Sequence, residues 1–417
     1  MTLALSRLKF VQKNLASNHQ GSTNLDVDMF STRYSITLLF NANNGFNRNV
    51  IVGIGDYLRS SKVDWDVYLE ENPTNSIDRI KHCHCDGIIA DCNEGEIKTA
   101  VENLTFPVVG VGGSYGEESN YPDIPYVATD NIEIVRIAYE HLKSKGLQSF
   151  AFYGFPLDES CLWAVERERA LLNFCKKDGY DCAIYRGYSM RADTWQHSLD
   201  SLGAWLRNLP NPVGVICAND VRARQLLQEC VHVQKAVPEN IAIIGIDDDE
   251  ALQNLNRVSC SSVAHNCSDI GFNAAKLLHR RIENPALRRK IVTIAPRGVI
   301  PRQSTDFKAL CDPHVIQAMH YIRQNACRGA KVGQVLDFVG VSRTNLEHRF
   351  KLECGHSIHT ELHRQKLNRA CELLTKSNMS SQKISIAAGY PSLQYMYAVF
   401  RKHFGGTPKD YRERNIQ

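Results

Sequence analysis

The chain has 417 residues, is 43% hydrophobic and carries a formal net charge of +4, which is typical of a globular protein with two or three domains. No stretch reaches the ~18–20 apolar residues that cross a bilayer, and the N-terminal residues lack the apolar segment of a secretory signal peptide. The 14 cysteines are scattered and fit free thiols, so we expect a cytoplasmic protein with no membrane partner.

The positive charge is concentrated at the C-terminal end. From Lys308 onwards there are 17 Lys and Arg and 8 Asp and Glu, a net charge of +9, whereas the preceding 307 residues carry 32 and 37, a net charge of −5. A basic block after an acidic body indicates that this end binds a polyanion, although a well-solvated surface has the same composition.

Residues 1–28 are polar and show no strong periodicity, so we expect a flexible N-terminal extension with Met29 as the natural start. From residue 34 onwards, short apolar runs alternate with helical segments in two series. This alternation predicts an α/β protein with parallel sheets in two similar lobes. The predicted strands are 35–41, 65–70, 87–90, 107–111 and 126–128 in the first series, and 150–153, 182–185, 213–217 and 241–246 in the second.

Polar residues follow these strands at the end where open α/β sheets bind ligands. The segments NANNGFNR, GVGGS, TDN, AND and DDD supply amides, carboxylates, a serine and an arginine. Such groups hydrogen-bond sugar hydroxyls, and the rings of Phe46 and Trp163 suit stacking on a pyranose. The pattern predicts a cleft for a neutral polyol.

The stretches GVICANDVRARQLL and VPENIAIIGIDDDE resemble the lac-repressor (LacI/GalR) family of sugar sensors, which shares its fold with periplasmic sugar-binding proteins. The resemblance covers about residues 34–299. It implies sugar contacts by Asp130, Arg167, Asn219, Asp220 and Asp247, which join Phe46, Arg48, Ser114 and Trp163 from the cleft pattern. For Asp130 and Asp247 the alternative is that each caps the helix that follows it.

That family has an N-terminal helix-turn-helix and a hinge sequence, and both are missing from this sequence. The sensor therefore needs another domain for its output. A separate cluster, His82-Cys83-His84-Cys85 with Cys92 beyond it, suggests zinc. It lacks the second ligand set of a closed tetrahedral site, so we expect no metal.

The segment after Asp312 is helical by periodicity and contains two units of the same plan. In unit 332–352 a short apolar helix ends at Gly340, and Ser342 can cap the next helix. Unit 384–404 repeats this order around Gly389 and Ser392. This is helix-turn-helix spacing, and the amphipathic helix 358–375 between the units would hold two reading helices on one face of DNA.

The outward faces of the two reading helices supply the predicted DNA contacts. These are Arg343, Thr344, Glu347, His348 and Lys351 in the first, and Leu393, Gln394, Tyr397, Arg401 and Lys402 in the second. Lys409 and Arg412 also suit phosphates, whereas Phe400 and Phe404 are predicted core residues. A solvated surface is the alternative for each charged residue.

The motif GY…FRKHFGGTPKDYR closely resembles the DNA-binding domain of the arabinose-regulator (AraC/XylS) family over about 100 residues. We expect a sugar-sensing domain at 29–305 and a DNA-binding domain at 306–417. This pairing, with TLLFNANNGFNRNV and DPHVIQAMHYIR, is similar to bacterial regulators of xylose use. It implies a homodimeric, non-enzymatic activator that binds D-xylose, operator DNA and RNA polymerase and needs no cofactor.

Other readings stay open at this point. Arabinose, ribose or fucose could replace xylose as the effector. A solute-binding protein for transport and a sugar kinase or dehydrogenase are alternatives from other classes. The enzyme reading is disfavoured because neither G-x-x-x-x-G-K-[ST] nor a strand-borne G-x-G-x-x-G occurs in the sequence.

Overall fold

The computed structural model describes residues 33–61, 63–70, 85–93, 95–102, 104–157, 161–188, 195–253, 255–306, 310 and 312–415. The extension predicted at 1–28 lies outside these residues. Two six-stranded sheets form two lobes, and a group of helices follows them. The α/β sensor-like body and the all-α C-terminal region predicted from the sequence are both confirmed.

The first lobe is built on a parallel sheet with the strand order β11-β5-β4-β3-β1-β2. Its strands β3, β4 and β5 are buried along their whole length, which explains their continuous apolar sequences. The elements in chain order are β1 Tyr34–Leu39, α1 Gly45–Ser61, β2 Trp65–Glu70, β3 Gly87–Asp91, α2 Gly95–Glu102, β4 Val108–Gly112 and β5 Tyr126–Thr129.

The second lobe has the strand order β12-β10-β9-β8-β6-β7, in which only β12 is antiparallel to its neighbour. Its elements are α3 Asn131–Ser144, β6 Phe150–Tyr153, α4 Leu162–Asp178, β7 Cys182–Tyr185, α5 Trp195–Asn208, β8 Val213–Cys217, α6 Asp220–His232, β9 Ile241–Ile246, α7 Glu250–Gln253, β10 Ser261–Ala264 and β12 Gly298–Ile300.

The chain passes between the lobes three times, after β5, after β10 and between β11 and β12. The second crossing leads into α8 Cys267–Glu283, which packs on the first lobe before β11 Ile291–Ile294. Helices α1 and α8 approach so closely that a Cβ on Gly53 would lie 2.0 Å from the carbonyl oxygen of Ser268, and one on Gly271 would lie 1.9 Å from that of Val50. Glycine is therefore required at both positions.

The C-terminal domain contains seven helices within the described residues. They are α9 Pro313–Asn325, α10 Val332–Val339, α11 Arg343–Cys354, α12 Ile358–Lys376, α13 Ser381–Ala387, α14 Leu393–Phe404 and α15 Pro408–Asn415. Helix α12 contributes to two small cores, with Ile358 and Leu362 in the first and Ala370 and Leu374 in the second. One helix therefore fixes the two helix-turn-helix units to each other.

Candidate sugar cleft and nucleic-acid interface

A buried arginine, Arg167, lies on α4 where the two lobes meet. Its Nε donates to Oδ1 of Asn131 at 2.9 Å, and its Nη1 donates to the carbonyl oxygen of Ala218 at 2.6 Å. Its Nη2 lies 3.4 Å from Nε2 of His265, and its guanidinium lies 4.6 Å from the ring centroid of Trp163. Burial lowers the pKa of Arg167 to about 10, so the group stays charged near neutral pH. Among the described residues, these contacts account for three of its five N–H groups, which leaves two for a ligand.

Asp247 faces the same point from the end of β9. Its Oδ1 lies 3.1 Å from Nε2 of His265, and its backbone has a φ of +116°, a conformation that a non-glycine residue rarely adopts. The ring of Phe46 meets His265 edge-on, with centroids 5.5 Å apart. Burial lowers the pKa of His265 despite the neighbouring carboxylate, so its imidazole is neutral at pH 7. A cation, an anion, a neutral imidazole and an aromatic ring thus converge here.

A second carboxylate, Asp220, supports the loop that carries Asp247. Its Oδ1 accepts from Oγ of Ser262 at 2.7 Å, and its Oδ2 accepts from the backbone N–H of Asp249 at 2.9 Å. Burial, with a contribution from the charge of Asp247, raises the pKa of Asp220 to about 8. Because the side chain is 2% exposed and its oxygens are engaged, it holds the loop from beneath.

The lobes touch beside Trp163. Ser114 of the first lobe donates a short hydrogen bond to Oε2 of Glu166 in the second. Asn131 donates to the same carboxylate oxygen at 2.8 Å. A Cβ on Gly113 would lie 2.3 Å from Cβ of Trp163, so only glycine permits this approach. This edge closes the cleft around Arg167.

The first helix-turn-helix unit consists of α10 and α11. Gly340 ends α10 in the left-handed region at φ +75°, and the hydroxyl of Ser342 caps α11 by accepting from the N–H of Asn345 at 3.4 Å. Leu346 and Phe350 are fully buried. The predicted DNA contacts Arg343, Thr344, His348 and Lys351 are exposed, whereas Glu347 is half-buried and accepts from the N–H of Ile358 at the start of α12.

The second unit, α13 and α14, repeats the arrangement. Gly389 has φ +74°, and a Cβ there would lie 2.5 Å from the carbonyl oxygen of Cys327. Ser392 caps α14 by accepting from the N–H of Tyr395 at 3.1 Å. On α14 the side chains of Gln394, Arg401 and Lys402 are exposed, whereas Leu393 and Tyr397 are half-buried against the second core.

The prediction that Phe404 belongs to the core of this unit is wrong. Phe404 is 39% exposed and lies at the edge of the core, because α14 ends there and Gly405 turns the chain away. Arg412 has other partners in the structure, so a phosphate contact by this residue stays a prediction. Its guanidinium donates to the carbonyl oxygens of Leu374, Ser377 and Met379, at 3.0, 3.3 and 2.6 Å, and so ties α15 to the end of α12.

Comparison with known proteins shows which family has this architecture. Three family models match: the XylR N-terminal domain at residues 35–132, a periplasmic binding protein-like domain at 139–305 and a helix-turn-helix domain at 336–414. The xylose operon regulatory protein of Escherichia coli K12 is 46% identical over 93% of this chain and 99% of its own length. The chain belongs to the family of xylose operon regulatory proteins. The Haemophilus influenzae member is 43% identical over 91% of the chain and 98% of its own length.

Solved structures agree with this assignment. A structure of the xylose-binding transcription activator xylR superposes with a TM-score of 0.86 at 45% identity, over 93% of this chain and 100% of that one. A LacI family regulator from Enterococcus faecalis with bound ribose gives a TM-score of 0.51 at 18% identity, over 65% of this chain and 98% of that one, which shows the fold of the sensor alone. As a family member, the chain is a DNA-binding transcription regulator and not an enzyme.

In this family member, the structure separates the predicted sugar contacts into two groups. One group lies around the cleft where the two lobes meet, namely Arg167, Asp247, Trp163, Phe46 and Ser114, and Asp220 lies beneath it.

The other three predicted contacts have other partners. Asp130 caps α3 by accepting from the N–H of Glu133 at 2.9 Å, and Asn219 caps α6 by accepting from that of Arg222 at 3.0 Å. The exposed Arg48 donates to the carbonyl oxygens of Ala42 and Asn43, both at 3.0 Å. A ligand contact by any of the three stays a prediction.

Asn131, Glu166 and His265 belong to the cleft but were missed in the sequence. Asn131 was visible as the last residue of TDN after β5, and Glu166 directly precedes Arg167. His265 follows β10, a strand that the apolar pattern did not predict.

Within the ranges that the structure covers, no three His, Cys, Asp or Glu side chains are grouped to hold a metal ion. His82, Cys83 and His84 lie outside the described residues, while Cys92 is buried and its pKa is raised by that burial. No described helix is long and apolar enough to cross a membrane.

Proposed function

We propose that the chain is a D-xylose-dependent transcription activator whose effector binds in the cleft around Arg167, His265 and Asp247. The observation that carries the proposal is the buried Arg167, which keeps two N–H donors free where Asp247 and Trp163 converge. A charged donor, a carboxylate acceptor and an aromatic face suit the hydroxyls and the apolar face of a pentose. The family membership supports xylose as the pentose.

Sugar binding acts through closure of the two lobes. Phe46 and Ser114 belong to the first lobe and Arg167 and Asp247 to the second, so a sugar among them contacts both lobes only when they are closed. A ligand shifts a conformational equilibrium only by the difference between its affinities for the two states. The sugar therefore favours the closed form.

The output is DNA binding by α11 and α14. Arg343 and Lys351 on α11 and Arg401 and Lys402 on α14 are exposed, which leaves them accessible to phosphates. In a homodimer, four such helices would engage paired operator sites and recruit RNA polymerase in the cytoplasm. The domain boundary that fits this division of labour is at 305/306, and a sugar effector replaces any cofactor.

Calorimetric titration of the purified protein with D-xylose, L-arabinose and D-ribose tests the effector. We expect heat that saturates selectively with D-xylose and a loss of at least tenfold in affinity for Asp247→Ala, which removes the carboxylate beside His265. Selective binding of another pentose would transfer the proposal to that sugar. Loss of DNA binding in folded Asp247→Ala, with sugar binding intact, would contradict the assignment of roles.

A further inference from the structure

A buried ion pair joins the second lobe to the DNA-binding domain. Arg323 on α9 donates its Nε to Oε1 of Glu239 at 2.8 Å, and the two side chains are only 4% and 2% exposed. Removal of either partner would leave the other charge buried and uncompensated. The pair therefore fixes α9 against the second lobe.

The same arginine contacts Asp306, at the junction between the sensor and the DNA-binding domain. Its Nη2 donates to the carbonyl oxygen of Asp306 at 2.9 Å, and its Nη1 lies 3.6 Å from that residue's Oδ2. Arg364 on α12 lies 4.0 Å from the same carboxylate oxygen. The neighbouring Ser304 and Thr305 are buried and hydrogen-bonded to Ser261 on β10. Two helices of the DNA-binding domain thus contact Asp306, directly after residues that are hydrogen-bonded to the second lobe.

Both residues that bind Arg323, Glu239 and Asp306, are connected to the sugar cleft. Glu239 lies two residues before β9, and Asp247 directly follows that strand. Arg302, four residues before Asp306, pairs with Asp248 at 2.6 Å. The loop that faces the sugar site and the contacts that hold Arg323 therefore belong to one hydrogen-bonded body.

The first lobe stands apart from this contact. A cavity of about 960 Å³ separates Arg48 and Asn49 of the first lobe from Arg369 and Glu372 on α12. A second cavity, of about 370 Å³, lies on the side of α6. Arg323 lines both cavities, so the described contact between the domains is narrow at this point.

We propose that Arg323, through its pair with Glu239, is the positioning residue that makes the DNA-binding domain move with the second lobe when the cleft closes. A change in the angle between the lobes then displaces α11 and α14 relative to the first lobe. This inference rests on the proposed function, because it concerns how the same sugar signal reaches DNA.

The test measures the coupling between sugar and DNA in the full-length protein. The probe is a DNA duplex that the wild-type protein selects from a random pool in the presence of D-xylose. The coupling factor is the ratio of the DNA Kd without sugar to that with saturating D-xylose, roughly 5–150 for allosteric proteins. The variant Glu239→Gln/Arg323→Met removes both charges, so neither is left buried alone. We expect its coupling factor to fall to about 1 while its Kd for D-xylose changes by less than about twofold.

Glu133→Gln/Arg136→Met is the matched control, since it removes a Glu–Arg pair of the same lobe whose side-chain hydrogen bonds, among the described residues, join two positions of α3. It should keep the wild-type coupling factor. Arg323→Lys, which retains a cation opposite Glu239, should show intermediate coupling and serves if the double variant does not fold. If the double variant keeps the wild-type coupling factor, the inference is overturned while the proposed function stands. If the double variant does not fold, the same result in Arg323→Lys overturns the inference. Absence of any pentose binding by the wild type would overturn the proposed function and the inference with it.

Discussion

Nε2 of His265 lies 3.1 Å from Oδ1 of Asp247, inside a cleft where burial keeps the imidazole neutral. The pKa of His265 in the folded protein lies below the ordinary value of 6.5. Between these two pH values, His265 therefore binds a proton more readily in the unfolded chain than in the folded protein. The stability that neutral His265 contributes is therefore present above pH 6.5 and is lost as the pH falls towards the folded pKa.

Replacement of His265 by Gln removes this titration. We expect the free energy of unfolding of the wild type to fall more steeply than that of His265→Gln between pH 7 and pH 5. Urea unfolding at several pH values measures both slopes, and the other histidines cancel in the difference. Parallel slopes would show that His265 is not held neutral by its burial.

The buried carboxyl of Asp220 predicts a pH dependence of opposite sign. Its folded pKa of about 8 exceeds the ordinary value of 3.8, so the folded protein retains a proton that the unfolded chain has lost. Between these values, stability falls as the pH rises, by about 1.4 kcal/mol per pH unit for this single group.

Asp220→Asn should remove that slope, since an amide can accept from the N–H of Asp249 and donate to Oγ of Ser262. We expect the variant to gain stability relative to the wild type as the pH rises from 6 to 8. Unfolding titrations across this range provide the measurement, and a constant difference between the two proteins would contradict a protonated Asp220.

The contact between α1 and α8 gives a prediction about packing. Gly53→Ala would place a methyl group against the backbone carbonyl of Ser268. Each of the two groups is attached to a helix backbone, so neither can move independently of its helix. We expect a loss of about 1–3 kcal/mol in the free energy of unfolding. Gly333→Ala on the exposed side of α10 is the control, because a Cβ there meets nothing within 4 Å and alanine should stabilise that helix by about 0.5–1 kcal/mol. Equal effects at the two positions would refute the close approach.

The sequence predicted strands most accurately where burial alone determines the pattern of apolar residues. Four strands of the second lobe, β6 to β9, lie within the bounds that their apolar runs predicted. Strands β6, β8 and β9 are buried along their whole length, whereas the edge strand β7 is only partly buried. Three strands were missed. β10 reads SSVA, and its serines bind Asp220 and the turn at 303–305, so polar side chains occupy a fully buried strand. β11 and β12 are short strands at the edges of their sheets and are only partly buried, so burial does not impose a continuous apolar run on them.

The residues of the candidate site could likewise be predicted only where a local sequence pattern marks them. Arg167 and Asp247 could be found because they stand in motifs, whereas His265 required the path of an unpredicted strand. Capping explains Asp130 and Asn219, since a short polar side chain at a helix start satisfies the backbone whether or not a ligand is near. The hydrogen-bond partners of Arg412 are carbonyl groups more than 30 residues away in the sequence, which no local pattern reveals.

Arg401 and Arg412 lie eleven residues apart in the basic C-terminal block, yet their surroundings in the structure differ. Arg401 is exposed on α14, so Arg401→Ala should weaken DNA binding to all sequences and reduce the slope of log Kd against log salt by about 0.9 per subunit. Arg412→Ala should instead destabilise the second helix-turn-helix unit by about 1–3 kcal/mol, because it removes hydrogen bonds to the end of α12. Fluorescence anisotropy at several salt concentrations, paired with thermal unfolding, separates the two effects. If Arg412→Ala changed the salt slope without changing stability, its guanidinium would contact phosphate rather than the carbonyls of α12.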